Sequence, residues 1–259
     1  MKRLLKFAKK IYCRLRGYAV LHLKDRTLAP RFHVSTNIEA EKILEKDNEE
    51  ELLEMFLGEI NPGDIVFDIG ANIGLYTLPA AIKLRGTGVV YAFEPVPLWF
   101  QRLRENIHLN RLSSMSNVFT YNVGFSDKNE MCNLVMKEVQ GSGMGSITAN
   151  YPNQLGKDKT VVIPVQLFRG DDFLLEKGIP GPNVVKIDVE GAELAVLQGL
   201  EKSLQYSGCR FILCEVHPAL LTDPHGEVQN LLKKYGFHCQ TSEQRRNEYH
   251  ILARRLSGN

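Results

Sequence analysis

Four ionisable side chains recur at two-residue spacing in the C-terminal half of the chain. Lys186 and Asp188 alternate in one apolar run, and Glu215 and His217 alternate at the end of a later one. Because side chains two positions apart in a strand point to the same face, each pair is expected to share a face. A lone ammonium is costly in a strand that is buried on both sides, so Lys186 needs a negatively charged partner. Asp188 and His217 are then candidates for accepting a proton from a substrate.

The same cluster allows two other interpretations. Asp188 or Glu190 could cap the helix that is expected after Gly191, and the cluster would then be a structural ion pair. Carboxylates and an imidazole also suit magnesium or manganese, and the ligands would then be Asp188, Glu190, Glu215 and His217. We expect no metal here and keep the divalent ion as an alternative.

A glycine turn predicts a ligand-binding site in the first half of the chain. An apolar strand that ends at Ile69 runs into a turn from Gly70 to Gly74, which opens a helix. Glycine lets the backbone approach a ligand closely and adopt positive φ, and the N–H groups at a helix start then face the ligand. A dinucleotide site requires G-x-G-x-x-G, whereas Asn72 and Leu75 occupy the second and third glycine positions. This mismatch disfavours NAD and suits a ligand with a carboxylate and a sulfonium.

A carboxylate follows the next predicted strand, one strand-helix unit after the turn. Glu94 comes directly after the strand that ends at Phe93. In dinucleotide-binding folds an acid at this point accepts hydrogen bonds from ribose hydroxyls, so Glu94 is the expected ribose anchor. The alternative is a cap for the helix that starts after Pro97. The expected cofactor contacts are Asp68, Gly70, Asn72, Gly74, Glu94, Gly124 and Ser126, the last two at the end of the third strand beside the adenine.

The elements that must position these residues alternate between strand and helix from residue 65 onward. Such alternation implies parallel strands joined by crossover helices, with ligands at the carboxyl ends of the strands. Core strands are predicted over residues 65–69, 89–93, 118–123, 184–189 and 211–216. Helices are predicted over residues 75–84, 97–109, 192–204 and 228–235. Two further strands, 131–136 and 161–168, flank a polar loop, and 236–240 with 249–253 form a closing hairpin.

Charge is distributed unevenly along the 259 residues, whose formal net charge is +2. Residues 2–16 carry seven Lys and Arg and no acid, which leaves −5 for the remainder. A mildly acidic body argues against a nucleic-acid face, which needs clustered basic residues. Leu4, Ala8, Ile11 and Leu15 recur at helical spacing among the basic residues. Residues 2–16 therefore predict a basic amphipathic helix, either solvated or lying on a membrane surface.

Other features of the chain point to a cytoplasmic protein. The five cysteines are scattered without a C-x-x-C pair, which favours reduced thiols. No apolar stretch approaches the roughly 18 residues of a spanning helix. The glycine-rich segment 141–146 lacks the Gly-Lys-Ser/Thr of a P-loop, and we interpret it as a lid over an acceptor.

Three segments together resemble the FkbM family of methyltransferases, and the resemblance covers roughly residues 60–254. They are Phe67-Asp68-Ile69-Gly70-Ala71-Asn72-Ile73-Gly74, Phe93-Glu94-Pro95 and Val185-Lys186-Ile187-Asp188-Val189-Glu190-Gly191-Ala192-Glu193. The resemblance implies S-adenosylmethionine as the methyl donor and, commonly, a hydroxyl of a sugar or secondary metabolite as the acceptor. One departure is Leu167–Asp172, where the family usually carries a Thr-Leu-Asp-like segment.

The sequence is therefore expected to encode an S-adenosylmethionine-dependent O-methyltransferase. Its fold should be a Rossmann-like class I α/β domain, with a mostly parallel seven-stranded sheet and an antiparallel C-terminal strand. We divide the chain into a basic helix and helical lead-in (1–59), the methyltransferase domain (60–254) and a tail (255–259). Asp188, His217 and Lys186 are the expected catalytic residues.

The expected partner is a small-molecule or glycan acceptor and no nucleic acid, with peripheral membrane contact through residues 2–16 as an addition. Two alternatives remain at this point. One is a nicotinamide-dependent oxidoreductase, and the other is a non-catalytic, membrane-associated binding module that keeps the cofactor fold.

Overall fold

The computed structural model describes most of the chain. The described residues are 10–35, 40, 43–44, 49–112, 117–137, 146–147, 160–217, 226–242 and 248–255. Three predicted features lie largely outside them: the first part of the basic helix, most of the proposed lid at 141–146, and the tail after residue 255.

The helices and strands have the following bounds. The strands are β1 Tyr18–Val20, β2 Arg31–His33, β3 Ile65–Ile69, β4 Val89–Phe93, β5 Val118–Tyr121, β6 Gly124–Ser126, β7 Glu130–Lys137, β8 Ser146–Ile147, β9 Thr160–Arg169, β10 Val184–Ile187, β11 Phe211–Val216, β12 Phe237–Thr241 and β13 Tyr249–Arg255. The helices are α1 Glu49–Gly58, α2 Thr77–Leu84, α3 Pro97–Leu109, α4 Gly170–Lys177, α5 Glu193–Gly199, α6 Glu201–Gln205 and α7 Glu227–Lys234. Residues 10–16 are also helical.

The main sheet has seven strands in the order β12-β13-β11-β10-β3-β4-β5. Strands β5, β4, β3, β10 and β11 pair in parallel, as expected for strands joined by crossover helices. Strand β13 pairs antiparallel with both β11 and β12. The prediction of a mostly parallel seven-stranded sheet with an antiparallel C-terminal strand is therefore confirmed, and the fold is Rossmann-like α/β.

Helices cover both faces of this sheet, because its strands are apolar on both sides. One core cluster combines Phe56 of α1, Leu78 of α2 and Leu103 of α3 with Val66 of the central strand β3. The neighbouring residue of that strand, Phe67, belongs to a second cluster, which includes α4, α5 and α7. The period of two along the strand thus divides the core into two layers.

A smaller sheet, ordered β6-β9-β7-β8, is inserted between β5 and α4. Strands β7 and β9 pair antiparallel from Glu130 opposite Leu167 to Lys137 opposite Thr160, which confirms the two strands predicted there. The strand predicted over 118–123 is present as β5, but its predicted end is wrong by two residues, because β5 ends at Tyr121. The next strand, β6, belongs to the smaller sheet and pairs with β9. Asn122 Nδ2 causes the break by donating to the backbone carbonyls of Glu94 (2.8 Å) and Pro95 (3.0 Å).

The single helix predicted over 192–204 is also wrong, because the chain forms α5 and α6 with a break at Leu200. A Cβ on Gly199 would lie 1.9 Å from the carbonyl oxygen of Ser126, so this glycine contacts the β6 backbone. The carboxylate of Asp171 accepts hydrogen bonds from the backbone N–H groups of Lys202 (2.8 Å) and Ser203 (3.0 Å). Asp171 therefore caps α6 from a distant helix, which starts the second helix anew.

The N-terminal segment is fixed to the sheet domain through a short hairpin. Strands β1 and β2 pair antiparallel, and Asn106 Oδ1 in α3 accepts a hydrogen bond from the backbone N–H of His33 at 2.8 Å. In the preceding helical segment Cys13 is buried, whereas Leu15 is 78% exposed. None of the five cysteines forms a disulfide. Within the described residues, no helix is both long and apolar enough to cross a bilayer.

Candidate active site

The predicted site residues follow four neighbouring strands at the carboxyl edge of the main sheet. The last residues of three of these strands lie level with one another, since Ile187 pairs with Ile69 and Ile69 pairs with Phe93. The fourth strand, β11, runs two residues further, because Ile187 pairs with Cys214 and β11 ends at Val216. The residues that come next are the glycine turn, Glu94, Asp188 and His217. The topology therefore brings the predicted cofactor contacts and the predicted catalytic residues to the same edge of the sheet, where α/β sheets bind ligands.

The glycine turn is held against strands on both sides. Gly70 N donates to the carbonyl of Phe93 at 2.9 Å, which joins the turn to the end of β4. Gly70 has φ +78°, and a Cβ there would lie 1.8 Å from the backbone carbonyl oxygen of Asp188. Gly74 has φ +96°, and a Cβ there would meet Leu78 Cδ1 at 2.3 Å. Both positions require glycine, because φ is positive and a Cβ would collide with neighbouring atoms. The helix predicted from residue 75 begins only at Thr77.

Glu94 is only 2% exposed and binds the backbone on two sides. Its Oε2 accepts a hydrogen bond from Asn72 N at 2.7 Å, and its Oε1 accepts one from Val96 N at 2.8 Å. Burial raises the pKa of Glu94 to about 7, although these two hydrogen bonds act in the opposite direction. Val96 precedes α3, so the carboxylate supports the start of that helix as well as the glycine turn. Each oxygen has a second lone pair that could accept a ribose hydroxyl.

Asp68 provides a buried acceptor at the end of β3. Its Oδ2 accepts a hydrogen bond from Thr77 Oγ1 at 2.5 Å, while its Oδ1 has no hydrogen-bond partner among the described residues. Burial raises the pKa of Asp68, and the positive charge of Lys186 opposes that shift. A buried acceptor without a partner is rare in folded proteins, and Oδ1 can accept a hydrogen bond from a donor on a ligand.

Lys186 forms the ion pair that its burial requires. Its Nζ lies 2.8 Å from Asp188 Oδ2 and 4.9 Å from the centre of the Tyr76 ring. Burial lowers the pKa of Lys186, but the charges of Asp188 and Asp68 outweigh burial and raise it above its ordinary value. The ammonium is therefore charged, and the predicted pairing with a carboxylate is confirmed.

His217 is held between two carboxylates. Its Nδ1 lies 2.9 Å from Glu193 Oε1 and its Nε2 lies 3.3 Å from Glu215 Oε1. Burial lowers the pKa of His217, but the hydrogen bonds to Glu193 and Glu215 raise it to about 11. Burial raises the pKa of Glu215, and its hydrogen bonds with His217 and His250 lower it below the ordinary value. At neutral pH this imidazole holds both protons, so each ring nitrogen acts as a donor to a carboxylate.

Glu190 lies in the turn between β10 and α5 with φ +53°, which is uncommon for a residue other than glycine. Burial raises its pKa to about 7, and the negative charge of Asp188 adds to that shift while His217 opposes it. The turn therefore adds another acidic group to the edge of the cluster.

The structure places the two predicted adenine contacts in the smaller sheet. A Cβ on Gly124 would lie 3.3 Å from Pro95 Cβ, so this glycine adjoins the end of β4. Ser126 is buried, and its Oγ lies 3.1 Å from Asp127 Oδ1. Its backbone carbonyl faces Gly199 at the end of α5.

Two residues of the cluster were missed by the sequence analysis. Glu193 is fully buried, and its Oε1 also accepts a hydrogen bond from Gly191 N at 2.9 Å. Its signals in the sequence were its place two residues after Gly191 and its inclusion in the third segment of the family resemblance. His250 lies opposite Glu215 in the β11–β13 register, and its Nε2 is 3.3 Å from Glu215 Oε2. The sequence contains no indication of His250, because the spacing of residues along the chain does not show which residues of two strands lie opposite each other.

Comparison with known proteins assigns the chain to a family. The family model described as methyltransferase FkbM domain matches residues 68–239. The chain is 27% identical over 227 residues to the hexuronic acid methyltransferase AglP of Haloferax volcanii, covering 88% of this chain and 85% of that protein. It is 30% identical over 198 residues to the 31-O-demethyl-FK506 methyltransferase FkbM of Streptomyces tacrolimicus, covering 69% and 74%.

A more partial match is to the 2-O-methyltransferase NoeI of Sinorhizobium fredii, 28% identical over 163 residues, which covers 60% of this chain and 63% of that protein. Among solved structures, precorrin-6y C5,15-methyltransferase from Geobacter metallireducens aligns with a TM-score of 0.47 and 15% identity, covering 80% of this chain and 89% of that chain. This TM-score is too low to support an argument about the fold. The fold is therefore assigned from the strand order of the main sheet. From the family match and the strand order together, the chain belongs to the FkbM family and is a methyltransferase with a Rossmann-like α/β fold.

Proposed function

We propose that this methyltransferase transfers the methyl group of S-adenosylmethionine to a hydroxyl of a sugar or secondary metabolite. The observation that carries the proposal is the buried carboxylate of Glu94, bonded to Asn72 N of the glycine turn, at the same sheet edge as the ion pair of Asp188. The names of the relatives support the acceptor class, since they include a hexuronic acid methyltransferase and a 2-O-methyltransferase.

The residues of the glycine turn and its surroundings fit this donor. Glu94 offers acceptors for ribose hydroxyls, and the unpartnered Oδ1 of Asp68 offers one for a further polar group of the ligand. The positive-φ turn keeps side-chain atoms away from the ligand. The remaining proposed contacts are Gly70, Asn72, Gly74, Gly124 and Ser126. When bound, the donor supplies a methyl group that its sulfonium has already activated.

The chain's own residues then have to orient the acceptor and receive its proton. Holding the acceptor oxygen in line with the methyl group can supply an effective molarity of roughly 10⁵–10⁸ M. We assign proton acceptance to Asp188, because His217 is already a donor to both of its carboxylate partners. Lys186 positions Asp188 through the ion pair at 2.8 Å.

Calorimetry with S-adenosylhomocysteine and NADH tests the choice of donor. We expect S-adenosylhomocysteine to bind and NADH not to bind, because Asn72 and Leu75 replace glycines of the dinucleotide motif. Mass spectrometry of hexuronic acid glycosides and other hydroxylated acceptors, incubated with S-adenosylmethionine, then tests methyl transfer. NADH binding without S-adenosylhomocysteine binding would contradict the proposed donor. Methylation of only nitrogen or carbon acceptors in the panel would contradict the acceptor class.

A further inference from the structure

We propose that Asp188, Glu215 and His217 bind one divalent cation of the magnesium or manganese class. Each of these residues offers a ligand atom, and the three atoms all lie within 4.8 Å of one another. Ligands at about 2.0–2.2 Å around an octahedral ion are separated by roughly 3 Å when adjacent and by about 4.3 Å when opposite. The cluster therefore needs a small contraction to hold such an ion, and His217 has to release its Nε2 proton to solvent as the ion binds.

The orientation of His217 is an observation independent of the acidic cluster. Its Nδ1 is bonded to Glu193 Oε1 at 2.9 Å, and Gly191 N donates to the same oxygen. Glu193 is fully buried, so its carboxylate fixes the ring and turns Nε2 toward Glu215. Metal-binding histidines are oriented in this way, with the ring nitrogen opposite the metal donating to a carboxylate. Glu193 would therefore orient the ligand His217 without contacting the ion itself.

The chemistry and exposure of the three groups fit a hard cation that keeps water ligands. Two carboxylates and one imidazole suit magnesium and manganese. Asp188 and Glu215 are half-buried, with side chains 29% and 21% exposed, so one side of the cluster faces solvent. An octahedral ion held by three protein atoms has about three open positions. Lys186 and His250 contact the two carboxylates from the protein side and keep them in place.

The open positions suggest what the ion does, and this part of the inference rests on the proposed function. Two neighbouring oxygens of a sugar or a hydroxy acid could replace two water ligands. The bound ion would then hold the acceptor hydroxyl at the sheet edge and favour its deprotonation, which is a common use of divalent ions in enzymes. The acceptor class that this arrangement favours is a molecule with adjacent oxygen ligands.

The test uses the full chain, freed of metal with a chelator, and titrates it with Mn²⁺ by calorimetry and electron paramagnetic resonance. No cofactor or acceptor is present. We expect one Mn²⁺ per chain, with Mg²⁺ as a competitor. Asp188→Asn and Glu215→Gln should each weaken Mn²⁺ binding at least roughly tenfold, and Glu193→Gln should weaken it by about 10- to 100-fold. Glu105→Gln is the matched control, because this exposed carboxylate is 3.0 Å from Arg102 in an ion pair far from the cluster in sequence.

Binding of S-adenosylhomocysteine by the same preparations shows that each variant is folded. It also distinguishes failure of the ion site from failure of the proposed donor. If the wild-type chain binds S-adenosylhomocysteine but no Mn²⁺, the ion site is wrong and the proposed donor stands. If it binds Mn²⁺ at these residues but no S-adenosylhomocysteine, the ion site stands and the proposed donor is wrong. Mn²⁺ binding that is equally strong in folded Asp188→Asn and Glu215→Gln would overturn the assignment of the ligands.

Discussion

The carboxylate of Asp188 neutralises the buried ammonium of Lys186, with 2.8 Å between Oδ2 and Nζ. Asp188→Asn keeps the size of the side chain and one oxygen acceptor but removes the charge. Because an amide neither accepts the hydroxyl proton nor binds a cation strongly, we expect the methylation rate to fall by roughly 10²–10⁴. Affinity for S-adenosylhomocysteine should change little, since the proposed donor contacts lie on other strands. Single-turnover methylation and calorimetry measure the two effects.

The same substitution tests whether Asp188 has a structural role. Removing one partner of a buried ion pair destabilises a fold by roughly 3–5 kcal/mol, and partial exposure of Asp188 reduces that cost. Asp172→Asn is a suitable control, because Asp172 is exposed and pairs with Arg169 at 2.9 Å. An Asp188→Asn protein that melts early, yet methylates at the normal rate while folded, would show that the residue is only structural.

Glu94 gives a prediction about pH, because burial raises its pKa from 4.5 to about 7. The folded chain holds this proton more tightly than the unfolded chain does. The contribution of Glu94 to stability is therefore full at pH below about 4.5 and is lost as pH rises through about 7. The loss is at most roughly 3–4 kcal/mol, given 1.36 kcal/mol per pKa unit. We expect the Tm of the wild-type chain to fall more steeply between about pH 5 and pH 8 than that of Glu94→Gln.

Glu94→Gln loses one of the two backbone hydrogen bonds, so the slope of Tm against pH is compared and not its absolute value. The exposed Glu105→Gln variant on α3 should follow the wild-type slope. Parallel curves for wild type and Glu94→Gln would show that Glu94 is ionised in the folded chain throughout this range. A second measurement, on Glu94→Ala, should show S-adenosylhomocysteine binding weakened by roughly 1.5–3 kcal/mol, the range for hydrogen bonds to a charged group.

Residue by residue, the sequence could predict the groups that end a strand but not their distant partners. Lys186 was expected to need a carboxylate, because a charged group in a central strand has few alternatives. Its contact with the Tyr76 ring depends on how the turn before α2 packs, which spacing does not show. His250 reaches Glu215 only through the register of β11 and β13. Register is set by the packing of whole strands, so such partners are visible only in three dimensions.

At the scale of elements, the glycine turn depends on contact with β10. Gly70 and Gly86 have nearly the same φ, +78° and +79°, but only Gly70 has backbone atoms close to the position of a Cβ. An alanine in this left-handed conformation costs roughly 1–2 kcal/mol at either position. Gly70→Ala should cost about 1–3 kcal/mol more, because its Cβ would collide with the carbonyl of Asp188. Thermal unfolding of the two variants measures this difference.

The two glycine variants should also differ in ligand binding. Gly70→Ala displaces the turn that carries the proposed donor contacts, so S-adenosylhomocysteine affinity should be lost. Gly86→Ala lies in the connection between α2 and β4 and should bind the ligand like the wild type. Equal stability and equal affinity for both variants would mean that the contact of Gly70 with Asp188 is not required.

The bounds of a strand could be predicted where a single short apolar run forms the whole strand. Strand β11 has the predicted bounds, since Phe211–Val216 is apolar on both sides of the sheet. The breaks were not predictable, because each depends on a group from elsewhere in the chain. Asn122 ends β5 by donating to carbonyls after β4, and Asp171 of α4 caps the start of α6. Local propensity contains no information about such contacts.

At the scale of the whole molecule, the sequence was sufficient to predict the fold class and the mostly parallel order of the main sheet. Parallel strands with right-handed crossovers, followed by a hairpin, leave few arrangements in which the carboxyl ends meet at one edge. The smaller sheet between β5 and α4 was less determined, because its strands pair mainly with one another. Its first strand, β6, is only three residues long and pairs with β9, and so short a strand gives almost no sequence signal.

The N-terminal segment combines attachment to the domain with apolar side chains that face solvent. Cys13 is buried, and the following hairpin is hydrogen-bonded to Asn106 of α3 and to Asn110, the residue after that helix. On the same helical segment, Tyr12 is 57% exposed and Leu15 is 78% exposed. Exposed apolar side chains among basic residues are typical of helices that lie on anionic membranes. We therefore propose that residues 2–16 contact a membrane surface.

Sedimentation with anionic liposomes at low ionic strength tests this proposal. The full chain should bind, and binding should weaken with added salt, because each basic residue near the surface contributes about 1 kcal/mol through screened attraction. Deleting residues 2–16 should abolish binding and leave S-adenosylhomocysteine affinity unchanged. Leu15→Glu should weaken binding without disturbing the buried Cys13, because Leu15 is largely exposed. Lys128→Gln with Lys177→Gln is the control, since these exposed lysines lie elsewhere and pair with glutamates. If the full chain ignores such liposomes, or binds them as well without residues 2–16, the segment has no role in membrane contact.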